Sequence, residues 1–204
     1  MDVNRRLIKL KSPISLNLEI TSSCNWKCEF CSAANKPNIR RKGYQSLENF
    51  KSVIDELSRA EVLRVNLFGG EPFLHPHITE IAEYANDSGL FVGFTSNGSR
   101  IDETMVDELL PHVIGGSISI HGLRDTHEKV TGVQHSFEKS VKALEIMSDA
   151  GLESSICYTL TNRNKDELEA YCDYFFNRFE TVKYLGVNRF IPQGRGFGNR
   201  KNWN

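Results

Sequence analysis

The stretch TSSCNWKCEFCS, residues 21–32, places three cysteines within eight consecutive positions. Cys24, Cys28 and Cys31 stand at a C-x₃-C-x₂-C spacing. Thiolates are soft ligands that suit zinc, copper(I) or iron–sulfur chemistry, and three on one short loop can wrap a single small object. A closed structural zinc site takes four protein ligands, usually with a second pair well downstream. Cys157 and Cys172 stand alone, and His127 and His135 lack the usual finger spacing. A [4Fe–4S] cluster normally takes four cysteines, so three would leave one iron open to a substrate or cofactor. Zinc, or an incidental group of thiols, is the alternative reading of the same spacing.

The rest of the chain must position that loop. Its 204 residues are 39% hydrophobic and 25% charged, which fits one globular domain able to bury a core without disulfides. A net charge of −1 with no charge run gives no global pull toward nucleic acid or anionic membrane. The start, MDVNRRLIKLK, lacks the apolar segment of a secretory signal, and no run of about 18 apolar residues could span a bilayer. An odd count of five cysteines, three of them bunched, is no secreted disulfide framework; a reducing cytoplasm is expected.

Six short apolar or β-branched runs are expected as strands: Ile14–Thr21, Leu63–Phe68, Leu90–Ser96, Gly116–His121, Ser155–Thr161 and Tyr184–Ile191. Between them lie helical spacings. Leu47, Phe50, Val53, Ile54 and Leu57 follow Ser46 as an N-cap. Ile78, Ile81, Ala82 and Ala85 run up to Gly89, Val141, Leu144 and Met147 up to Gly151, and further helices are expected over Asp102–Leu110 and Leu168–Phe176. Alternating βα units imply a parallel sheet with right-handed crossovers. Six units fall short of the eight of a full barrel, so the expectation is a partial (β/α)₆ TIM-type barrel over residues 14–196. Residues 1–13 would form an N-terminal extension and 197–204 a tail at a point of truncation.

The strands alternate where fully buried parallel strands would read as continuous apolar runs. Leu16, Leu18 and Ile20 oppose Asn17, Glu19 and Thr21; Ile118 and Ile120 oppose Ser117, Ser119 and His121; Ile156, Tyr158 and Leu160 oppose Cys157, Thr159 and Thr161. With helices over the apolar faces, the polar faces line an inner chamber. An open sheet with one wet face is the alternative.

Three further segments fall at strand ends: GGEP (Gly69–Pro72), TSNG (Thr95–Gly98) and ISIHG (Ile118–Gly122). With CNWKCEFC and Phe30 in its aromatic slot, they resemble the radical S-adenosylmethionine (radical SAM) superfamily from Ile14 to Gly196. The resemblance is strongest to SPASM-type and related peptide-modifying members, without their C-terminal auxiliary-cluster domain. It implies a [4Fe–4S] cluster on Cys24, Cys28 and Cys31. The fourth iron would bind S-adenosylmethionine, whose reductive cleavage gives a 5′-deoxyadenosyl radical that abstracts hydrogen from a substrate, with a weak lean to a peptide. It also implies an electron donor of flavodoxin or ferredoxin type, and an oligomer contact or further domain over the open barrel edge.

The resemblance suggests roles at single positions. Glu71 and the Gly69–Gly70 carbonyls would accept from the SAM amine, with Pro72 fixing the exit. Phe30 would pack near the adenine and the Ile191 backbone would meet it. Ser96 and Asn97 would reach the methionine or ribose end, and Ser119 and His121 would face the cofactor. One departure stands out: many relatives carry an arginine in the loop past the fourth strand that meets the SAM carboxylate, whereas HEKVTG, residues 127–132, has Thr131 there. Lys129 or Arg124 are candidate substitutes, and Arg195 reads as a solvated loop charge or a site residue with equal ease. The competing functions are a SAM- or metal-binding domain without radical chemistry, and a small radical SAM activase or nucleoside-biosynthesis enzyme.

Overall fold

The computed structural model describes residues 10–33 and 44–198; residues 1–9 of the expected extension and 199–204 of the expected tail lie outside them. Six strands form one parallel sheet in chain order: β1 Ser15–Thr21, β2 Arg64–Gly69, β3 Phe91–Ser96, β4 Gly115–Ser119, β5 Ser154–Leu160 and β6 Val182–Arg189. The helices are α1 Leu47–Arg59, α2 Ile78–Asp87, α3 Glu103–Leu109, α4 Arg124–Thr131, α5 Ser136–Asp149, α6 Leu168–Arg178 and the short α7 Arg195–Gly198. Sequential parallel order with helical crossovers is the partial barrel expected from the alternation, and the strand positions agree to within about two residues, the usual boundary scatter.

Local chemistry starts the helices where expected. Ser46 Oγ accepts from the Asn49 N–H of α1 at 3.3 Å, and Asp102 Oδ1 from the Met105 N–H of α3 at 2.9 Å, each satisfying a donor that the first turn leaves open. The core lies between sheet and helices: Ile54, Val65, Ile81, Val92, Leu144, Met147 and Ile156 are wholly buried there.

Helix α4 was not expected; HEKVTG reads as loop. The face it buries is His127, Val130 and Thr131, an i, i+3, i+4 set with one aliphatic member, so hydrophobic periodicity carries almost no signal. Its end does carry one: Gly132 closes the helix in the left-handed region at φ 67°, where glycine meets no Cβ penalty.

The opposite faces of the strands are polar, as the alternation requires. The Asn66 amide donates to Asn17 Oδ1 at 3.2 Å and to Thr95 Oγ1 at 3.1 Å, linking three neighbouring strands. Across β5 and β6, Asn188 Nδ2 donates to Cys157 Sγ at 3.0 Å.

The far strand ends are locked by a residue that periodicity does not flag. Asn164, 1% exposed, accepts from the Thr161 N–H and hydroxyl through Oδ1 at 2.7 and 2.9 Å. Its Nδ2 donates to the carbonyls of His121 and Thr159, each at 2.9 Å, binding the exits of β4 and β5 together. Leaving buried partners unpaired costs about 1–3 kcal/mol per group. Asn164→Ala is therefore expected to lose roughly 2–4 kcal/mol of stability in urea unfolding; a loss within about 0.5 kcal/mol, as for a surface change, would contradict the assignment.

Candidate functional site: the cysteine loop and the strand ends

The cysteine loop leaves β1 and is held by main-chain bonds on every side. The Gly70 N–H donates to Thr21 O and the Glu71 N–H to Ser23 O, both at 2.8 Å. The two glycines make that approach feasible. A Cβ on Gly69 would stand 2.1 Å from Thr21 O, and one on Gly70 2.2 Å from Ser23 O. The space that a side chain would take at either glycine is filled by the chain's own backbone. On the other side, the Lys27 N–H donates to Thr131 O at 3.3 Å and the Glu29 N–H to Val130 O at 2.9 Å, using carbonyls that the end of α4 leaves without helical partners. From beyond β6, the Arg195 N–H donates to Cys31 O at 3.1 Å. Trp26, buried within the loop, packs edge-on against His127 of α4 with ring centroids 5.6 Å apart.

Thr131 serves this packing. Its hydroxyl donates to His127 O at 2.9 Å and pairs with Ser136 Oγ at 2.8 Å, and the residue is wholly buried. Neither expected substitute for the missing arginine is brought to the loop as a free cation. Arg124 forms an ion pair with Glu138 and lies over the Phe137 ring, and Lys129 is exposed on α4.

The three cysteines are free thiols, Cys24 exposed and Cys28 and Cys31 half-buried. Burial pushes the Cys28 thiol up to about 12, and the neighbouring Cys24 and Cys31 add to the rise. Cys24 is also raised, by burial first, against the Trp26 N–H that reaches its sulfur at 3.4 Å. A bound metal would offset the cost of a thiolate at Cys28, since a coordinating thiol is deprotonated outright. The spread of the three thiols counts against one ion. Among the described residues, the group of three ligand atoms within 4.8 Å of one another is Glu128, His135 and Glu138, not the cysteines. A single zinc with bonds of about 2.3 Å would draw its sulfurs to within about 3.8 Å. The donor set thus fits a cluster better than a zinc ion.

Glu71 is wholly buried, and its carboxylate turns into the fold. Oε1 accepts from the Phe73 N–H at 3.2 Å and from Ser96 Oγ at 2.7 Å; Oε2 accepts from the Asn97 N–H at 2.7 Å. Burial raises its pKa while these three donors pull it back. The carboxylate expected to meet a ligand amine is mostly spent on joining the exits of β2 and β3, and Pro72 opens the 3₁₀ turn Pro72–Leu74 that it caps. Asn97 is likewise committed: its Nδ2 donates to Asn25 Oδ1 of the cysteine loop at 3.0 Å, and its Oδ1 accepts from the Ser99 N–H at 2.8 Å.

Ser119 is half-buried at the end of β4, between wholly buried Ile118 and Ile120, with Cys157 its partner across the sheet. His121 Nδ1 accepts from the Thr159 N–H at 3.1 Å, which puts the proton on Nε2. Its ring stacks at 6.0 Å on His127 and meets the Phe30 ring edge-on at 4.5 Å. Phe30 packs with Val130 and Phe190. Ile191 is exposed, and its carbonyl accepts from the Gln193 N–H at 2.8 Å. The residues that sequence reasoning missed here are Asn25, Trp26, Val130 and Asn164; Trp26, large and apolar within a polar loop, was the one with a visible signal.

The family model of the radical SAM superfamily matches residues 18–175, and the chain belongs to that superfamily. It is 32% identical over 191 residues to the mycofactocin maturase MftC of Mycolicibacterium smegmatis, covering 92% of this chain and 47% of that protein. It is 29% identical over 192 residues to an AdoMet-dependent heme synthase of Methanosarcina barkeri, covering 91% and 53%. The solved structure of Streptococcus suis SuiB bound to precursor peptide SuiA superposes with a TM-score of 0.74 at 18% identity, covering 89% of this chain and 40% of that one. The chain spans about half the length of these curated relatives, and the likeness to SuiB shows the fold.

Burial holds His121 down to about 3 and His127 well below the usual histidine range, the charge of His121 adding to the latter. Both titrate near 6.5 when unfolded. Their neutral forms therefore stabilise the fold fully above about pH 6.5, and this contribution is lost as pH falls from there toward 3. At pH 5 the loss from His121 alone is about 2 kcal/mol relative to pH 7.5. Urea unfolding at the two pH values measures it; a flat profile would contradict the buried, neutral histidine pair.

Proposed function

We propose that residues 14–196 form the catalytic barrel of a radical SAM enzyme, with Cys24, Cys28 and Cys31 as the cluster ligands. The observation that carries this reading is the loop itself: three thiols and no fourth, on a backbone tied to β2, α4 and the segment after β6. Bound there, a [4Fe–4S] cluster supplies the electron that splits S-adenosylmethionine into methionine and a 5′-deoxyadenosyl radical able to take hydrogen from a substrate.

The chain's own residues bind, orient and shield. Glu71 acts through Ser96 and Asn97, holding TSNG against the loop, while the main chain of Gly69–Pro72 edges the ligand's amino end. Phe30 forms an apolar wall suited to an adenine. Ser119 and the Nε2–H of His121 are the donors at the end of β4, and the backbone at Ile191 completes the rim. Asn17, Glu19, Asn66, Thr159 and Asn188 line the chamber and meet the substrate.

A peptide is the proposed substrate class. A relative named as a maturase and a SuiB fold that accommodates a precursor peptide support it. The relative named as a heme synthase favours a second reading, in which the chamber takes a substrate of heme synthesis. A flavodoxin- or ferredoxin-like electron donor, a second chain or domain over the barrel edge and a reducing, cytoplasmic setting complete the proposal; among the described residues no helix is long and apolar enough to cross a membrane.

The test is anaerobic reconstitution. About four irons and four sulfides per chain are expected, with 5′-deoxyadenosine and methionine released on reduction with S-adenosylmethionine. Alanine at Cys24, Cys28 or Cys31 is expected to abolish both. Binding of S-adenosylmethionine without cleavage under strong reductant would make the domain a binding module, and zinc without labile sulfide would make it a structural metal site.

A further inference from the structure

Arg195 sits between two glycines whose positions have physical causes. Gly194 takes φ +56°, in the left-handed region. Gly196 packs under Phe190, where a Cβ would come within 2.8 Å of the ring. Together they press the arginine's backbone onto the cysteine loop, where its N–H meets Cys31 O. The side chain turns inward. Its Nη1 is buried and has no hydrogen-bond acceptor among the described residues.

A guanidinium stays charged and offers five N–H donors in a fixed fork that matches a carboxylate. Leaving one buried without an acceptor is costly, so the position calls for an anion. Among the described residues, Arg124 pairs with Glu138 and Arg163 with Glu29 at 3.9 Å, and Lys27 and Lys129 are exposed. Thr131 is neutral and bonded internally.

We propose that Arg195 holds the carboxylate of the bound S-adenosylmethionine beside the iron that the three cysteines leave open. This rests on the proposed function and adds to it the residue that fixes the ligand's charged end.

The experiment compares two ligands on cluster-loaded protein: S-adenosylmethionine, and its decarboxylated form, which lacks only the carboxylate. Equilibrium dialysis under anaerobic conditions reads the affinities of wild type, Arg195→Ala and Arg195→Lys. Arg195→Ala is expected to weaken S-adenosylmethionine binding roughly ten- to hundredfold, as for loss of a charge-assisted hydrogen bond. It should leave the decarboxylated ligand within about twofold, and Arg195→Lys should recover part of the loss. An equal loss for both ligands, or no loss for either, overturns the proposal. If Arg195→Ala loads no cluster, Arg195→Gln is read the same way, and failure of every variant to load would make the arginine part of the loop's fold and overturn it too. A wild-type protein that loads no cluster or binds no S-adenosylmethionine would instead sink the proposed function.

Discussion

Everything at the site depends on one constraint: the cysteine loop is clamped by main-chain hydrogen bonds from both sides. Gly70 and Glu71 reach it from the end of β2, and it reaches the last carbonyls of α4 through Lys27 and Glu29. These bonds do not depend on side-chain type, so the loop is free to carry thiols, a tryptophan and charged residues without losing its path. The requirement they impose falls on the neighbours. Gly69 and Gly70 must lack side chains, and α4 must end where its free carbonyls face the loop.

The clamp in turn depends on buried polar groups that are costly alone and stable together. Glu71 sits wholly buried because three donors meet it, and a carboxylate so held ties the exits of β2 and β3. His121 and His127 are linked in series: the Thr159 N–H donates to His121 Nδ1, and the His121 N–H to His127 Nδ1 at 3.0 Å. Asn164 then joins the same histidine's carbonyl to β5. Buried polar groups thus tie the strand exits beside the loop in pairs, β2 to β3 through Glu71 and β4 to β5 through Asn164.

Much of this was legible in the sequence, and the limits follow from what each signal reports. Strand alternation put Asn17 and Cys157 on the polar face and Ile118 and Ile156 in the core, because period-two burial is a direct consequence of the pleat. The cysteine spacing and GGEP marked the site. Their local causes were not legible: the glycines clear a path for the chain's own backbone, and the Glu71 carboxylate faces inward, since both depend on contacts across the sheet. Helix α4 was missed because its buried face is mostly polar. Arg195 could be read either way until the structure placed its Nη1 in a buried position.

The loop holds its shape through main-chain bonds rather than through a bound cluster. Hydrogen exchange on cluster-free protein tests it most directly, at the amides of Glu29, Gly70, Glu71 and Arg195. Protection of these four well above that of unstructured chain, and close to that of the adjoining ends of β2 and β3, is the predicted result. Exchange at unprotected rates, with protection appearing only after cluster loading, would contradict the account.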